Sequence, residues 1–116
     1  MHSDKIAEAL GDMADNIAFA LELTDDFDHD RFIADRRTVY AVVRCLEIIS
    51  EASRRIPDEV RDLQGTIVWR DIADADNFYR HEYRGVVPSR VWSTVVDHLP
   101  TLQVAVQALL AAGAQD

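Results

Sequence analysis

This sequence predicts an all-α fold, an antiparallel bundle of four to five helices, and three observations carry that expectation. Apolar residues recur at alternating spacings of three and four along most of the chain. Only 4 glycines and 3 prolines interrupt 116 residues, too few turn formers for a sandwich of short strands. The one β-prone run, "TIVW" from Thr66 to Trp69, has no partner run with which to pair and reads as a buried connection.

The elements follow in order. Ile6, Leu10, Met13, Ile17 and Leu21 share one face of a first helix, with Ser3 or Asp4 available to cap it. The aspartate-rich stretch "TDDFDHD" then forms a solvated loop whose last members can start the next helix. Val39, Val42, Leu46, Ile49, Ser53 and Ile56 keep the three-four alternation through the longest helix, from about Asp35 to Ile56. Pro57 stops it, and Asp58 and Glu59 open a short helix that Gly65 closes. A fourth helix starts near Trp69 or Arg70 with Ile72, Ala75 and Tyr79 on one side. Val91, Val95, Leu99, Leu102, Val106 and Leu109 align on a last segment, kinked or broken near Pro100. These stripes can be buried only against one another, which makes the chain a single domain over residues 1–116.

Composition narrows the function classes. A formal net charge of −9 repels polyanions at long range, so nucleic-acid binding would need a local basic patch. The lone cysteine, Cys45, excludes an internal disulfide and sits in an apolar run as a free thiol suited to a reducing compartment. No apolar leader with a cleavage site opens the sequence. The uncharged run His98–Gln115 is interrupted by Pro100, Gln103, Gln107 and Gly113, which argues against a membrane span. The expectation is a soluble cytoplasmic protein with no membrane association.

The chemistry-bearing stretch is "DADNFYRHEYRGV", Asp74 to Val86. On a helix, Asp76 and Arg80 form a favourable i,i+4 pair worth about 0.2–0.5 kcal/mol, and His81 is a helix-end histidine with its proton favoured by the dipole. That structural reading needs no function; Tyr79 and Tyr83 simply extend the apolar face. A chemical reading also exists. Metal-free RNA cleavage needs a base for the 2′-OH, an acid for the leaving oxygen and a cation for the phosphate, and His81 with Arg80 and Arg84 supplies those groups. His29 among carboxylates reads as a solvated turn, and Asp71, Asp74 and Asp76 as a solvated acidic face. With no paired-cysteine pattern and no glycine-rich phosphate loop, neither metal nor cofactor is expected.

Three blocks in order, "FIADRRTVYAVVRCLEIISEASRRIP", "VWRDIADADNFYRHEYRGV" and "VWSTVVDHLPTL", resemble the HepT-like branch of the HEPN superfamily along nearly the whole chain. The resemblance implies a homodimeric helical bundle of the HEPN type with a paired motif at a shared cleft. That motif is an arginine, usually an asparagine, then a histidine after four residues and a tyrosine two further on. It implies a metal-independent ribonuclease acting on RNA, the toxin of a toxin–antitoxin pair whose antitoxin is a minimal nucleotidyltransferase. In some such pairs the partner adds AMP to the motif tyrosine. Carried over, Asn77, His81 and Tyr83 fill the motif, with His81 as acid/base and Tyr83 as the modification acceptor. Asp76 occupies the arginine position. A carboxylate there repels phosphate, and losing such a contact costs about 10²- to 10³-fold in rate; Arg80, one turn on, is the arginine available to replace it. The alternative is a catalytically weak HEPN module, bound and AMP-modified on Tyr83 by a nucleotidyltransferase. Glu51 either turns into the bundle to orient the motif or faces solvent.

Overall fold

A computed structural model describes residues 3–81 and 88–115, with side chains at 3–75 and 88–113. Tyr83 and Arg84 therefore lie outside the described residues, and Asp76, Asn77, Arg80 and His81 are placed by their backbone. The described residues form helices joined by short turns, with no strand among them.

Helix α1 spans Asp4–Leu23. Ser3 caps it, its side-chain oxygen accepting from the Ile6 N–H at 3.2 Å. Leu10, Met13 and Ile17 are fully buried on the anticipated face, joined by Ala9 and Ala20, while Ile6 and Leu21 are half-buried at its margin. At the far end the Thr24 hydroxyl donates to the Ala20 carbonyl at 2.9 Å, satisfying one of the carbonyls a helix leaves open.

The acidic stretch that follows is less of a loop than the composition suggests. Asp28 accepts from the Arg31 N–H at 2.8 Å and caps α2, His29–Ala34, a helix of its own and not the start of the next. It buries one residue, Phe32, whose ring stacks at 5.2 Å and 39° on Trp92. A six-residue helix with a single inward side chain has no periodicity to read, so only its contact with Trp92 makes it visible.

Asp35 closes α2 and caps α3 (Arg36–Ser53), accepting from the Thr38 N–H at 3.0 Å. Val39, Val42, Leu46, Ile49 and Ser53 are buried as the alternation demands, along with Cys45 and Ser50. The regular helix stops three residues before Ile56. Arg54, Arg55 and Ile56 are held by tighter bonds to the carbonyls three back, and Ile56 is still buried. Pro57 then turns the chain into the short α4, Asp58–Arg61, and a single 3₁₀ turn, Asp62–Gln64. The buried Trp69 indole N–H donates to the carbonyls of Arg61 and Gln64 at 3.1 and 3.2 Å, fastening that turn to the start of α5, Trp69–His81. Of the "TIVW" connection only Ile67 and Trp69 turn inward. Val68 is 62% exposed, which corrects the reading of the run as wholly buried.

Helix α6 (Pro88–Ser93) runs without a break through a π turn (Thr94–His98) into α7 (Leu99–Gln115). Pro100 lacks an N–H and crowds the carbonyl four residues back, so a kink or break was expected there. The helix does not break: the preceding turn widens, and the Leu99 N–H donates to the Thr94 carbonyl five residues back. Val91, Val95, Leu99, Leu102, Val106 and Leu109 all stay on the core, and a break would have removed one half of that stripe from it. By length and composition Pro88–Gly113 would suffice to cross a membrane, with a mean hydropathy of 1.3. Its inward residues are packed in this bundle, and Gln107 is exposed on the far side.

Helix α1 packs on α3 and α7, and α3 packs on α5. One shared core results, and each large apolar side chain in it contributes about 1.5–3 kcal/mol of transfer free energy.

Candidate active site

The motif rides on α5, so what holds α5 decides where the motif is presented. Ile72 and Ala75 pack against the core from one side. On that inward side α3 also grips a single backbone atom: the Ala73 carbonyl accepts from the Ser50 hydroxyl at 3.0 Å and from Arg54 Nη1 at 2.7 Å. Ser53 supports that grip, its hydroxyl donating to the Ser50 carbonyl at 2.6 Å. A neutral bond of this kind contributes about 0.5–1.5 kcal/mol, and one from a guanidinium about 1.5–3 kcal/mol. The clamp lies one turn before Asn77. The sequence carries a trace of it, since Ser50 is a polar residue beside an apolar stripe and a buried hydroxyl demands a partner, but the partner itself, 23 residues away, is not legible.

Beyond the clamp, α5 continues regularly to His81, which fixes the register of the motif. Asp76 and Arg80 occupy one row along the helix, and Asn77 and His81 the adjacent row. Residues within a row are about 6 Å apart along the axis, and the rows are about 100° apart around it. The acid that departs from the family pattern and the arginine offered in its place therefore share a row.

Other candidates fall out by their surroundings. Glu51 faces solvent, 52% exposed, and pairs with Arg55 at 3.3 Å. Arg55 also bonds Asp12 at 2.9 Å, which holds its guanidinium above its ordinary pKa. Cys45 is buried, and desolvation pushes its thiol up, the opposite of an activated nucleophile. Asp71 and Asp74 are exposed, and no group of three metal-capable side chains occurs among the described residues. His29 is more engaged than a solvated turn residue. Its Nδ1 lies 3.0 Å from Asp30 Oδ1 and its Nε2 2.9 Å from Ser89 Oγ, tying α2 to α6. Asp30 is 94% exposed, so this line stands open to water and serves as a fastening between helices.

One concavity of about 390 Å³ adjoins α5. Leu46 and Ile49 of α3, Ile72 of α5 and Leu102 of α7 form its apolar floor, and Asp71 and Asp97 stand at its rim. A second hollow continues it along α7 to Val104 and Ala105 through the shared residues Thr66, Ile67 and Thr101.

Residues 13–109 match the family model described as Ribonuclease HepT-like. The chain is 38% identical over 96 residues to a probable ribonuclease HepT of Thermococcus cleftensis, covering 79% of this chain and 87% of that one. It is 32% identical over 98 residues, 84% of this chain and 90% of the relative, to a Methanocaldococcus jannaschii protein provisionally named an RNase. A Caldanaerobacter subterraneus protein, also provisionally named an RNase, is 33% identical over 92 residues, 79% of this chain and 82% of that one. No solved structure matches the chain.

Proposed function

Because the chain belongs to the ribonuclease HepT-like family, we propose that it is a metal-independent endoribonuclease, the toxin of a cytoplasmic toxin–antitoxin pair, acting as a homodimer with a minimal nucleotidyltransferase as its antitoxin. The observation that carries this reading is the regular course of α5, clamped at Ala73, which sets Asn77 and His81 in one row and Asp76 and Arg80 in the next. In the reaction, His81 takes the proton of the attacking 2′-OH or returns one to the departing 5′ oxygen. Two copies of α5 across a dimer cleft would supply both roles. Asn77 and Tyr83 order the scissile phosphate, and Arg80 is the cation that meets it, drawn from the same row as Asp76. The carboxylate of Asp76 opposes that contact, so the natural chain is a slow enzyme, about 10²- to 10³-fold below an arginine-bearing one.

Asp76 also favours a second reading, in which the chain is a weakly catalytic module that a nucleotidyltransferase binds and modifies with AMP on Tyr83. Incubation with a labelled RNA separates the two. Cleavage by wild type that disappears in His81→Ala supports the enzyme; inert wild type with cleavage appearing only in Asp76→Arg removes it for the natural chain. Intact mass after mixing with the partner and ATP tests the modification, with Tyr83→Phe abolishing any added AMP.

A further inference from the structure

The groove beside α5 is built from residues that neither reading employs, and we propose that it docks a basic amphipathic helix of a partner protein, with apolar anchors on one face and lysines or arginines beside them. Shape, charge and length point the same way. Its floor is apolar, and its lips continue that character to the surface, Val68 being 62% and Val104 67% exposed. Its rim carries the exposed carboxylates of Asp71 and Asp97, and among the described residues neither is ion-paired and no lysine or arginine lines either hollow. An apolar floor edged by two exposed acids complements an apolar side chain flanked by cations. Along the π turn and α7 the lining runs from Thr94 to Ala105, roughly 16 Å at the usual helical rise, which matches about three turns of helix and exceeds a single small ring compound.

The same charges argue against the two other occupants. RNA would bring phosphates to Asp71 and Asp97. A second copy seated symmetrically would bring its own Asp71 and Asp97 to the same rim. The π turn contributes directly, since Thr94, Asp97 and His98 all line the groove from that widened stretch. The occupant of the groove is independent of whether His81 cuts RNA.

The test is fluorescence anisotropy of the full chain with a labelled 14-residue leucine/lysine amphipathic peptide and its scrambled isomer of the same charge. The ordered peptide is expected to bind at least about tenfold more tightly than the scrambled one. Thr101→Trp, which fills the joint of the two hollows from an exposed helix position, should abolish that preference while leaving the melting temperature unchanged. Asp71→Asn and Asp97→Asn, which keep the shape, should each weaken binding about two- to fivefold at low salt. Equal binding of the two peptides, or no effect of Thr101→Trp, overturns the proposal. Sedimentation showing that Thr101→Trp breaks a dimer would assign the groove to a second copy. Displacement of the peptide by a single-stranded RNA that Thr101→Trp no longer binds would assign it to RNA.

Discussion

The two sides of α5 differ in kind. Toward the bundle, Trp69, Ile72 and Ala75 join the apolar core, and the Ala73 carbonyl is held by two donors from α3. On its outer side lie the exposed acids Asp71 and Asp74. The inner side is a scaffold in which shape and satisfied polar groups decide stability. Where charges stand in water, they contribute little to stability and can be spent on recognition. Substitutions of similar size should therefore act on different observables according to the side they touch.

The largest effect is expected in the core. Phe32→Ala empties a site that is 0% exposed and removes the stack on Trp92, so urea unfolding should show a loss of about 3–5 kcal/mol. Asp76→Arg should do the reverse, raising RNA cleavage by about 10²-fold, some 2.7 kcal/mol of barrier, with the melting temperature nearly unmoved. A loss of stability without a gain in cleavage would place Asp76 among the structural residues. Between these, Ser50→Ala removes one of the two donors on the Ala73 carbonyl. It should cost about 0.5–1.5 kcal/mol in unfolding, and a larger proportional loss of cleavage would show that the clamp positions the motif.

The exposed Arg55–Asp12 pair should matter least among the contacts. Arg55→Met is expected to cost about 0.2–1 kcal/mol at low salt, less at high salt. Cys45 gives a pH-dependent effect that is negligible at neutral pH. Its folded pKa is raised above the ordinary 9.0, so below pH 9 the thiol is protonated whether the chain is folded or not. As pH rises past 9 the unfolded chain loses that proton while the folded one retains it, and stability falls. Cys45→Ala should flatten that decline, measured by unfolding between pH 8 and about 10. Alkylation of the native thiol should be more than about tenfold slower than in denaturant.

How far the sequence could be read follows from how many residues each element commits to the core. Helices α1 and α3 each place five or more side chains inward, and their stripes announce them. Helix α2 places one and is silent. The two prolines show the same limit. Pro57 and Pro100 carry the same local warning, yet one ends a regular stretch and the other sits in a helix that widens and continues. The difference lies beyond the prolines, in an apolar stripe running on both sides of Pro100 and committed to one core. For the site, the resemblance singled out Asp76, Asn77, Arg80 and His81, and all four ride on α5. The clamp behind that helix left only the polar Ser50 as a trace, and the groove beside it had no local signature.

By itself, then, the sequence determined the helical class, the inward face of each long helix and the family to which the chain belongs. Those properties depend on residues within a turn or two of one another, where spacing maps directly onto geometry. Only the tertiary structure decided that Ser50 would meet Ala73, that His29 would meet Ser89 sixty residues away, and that α3, α5 and α7 would leave an acid-rimmed groove between them. Such contacts depend on how helices cross, and crossing is settled by packing all their faces at once, which no local pattern of spacings encodes.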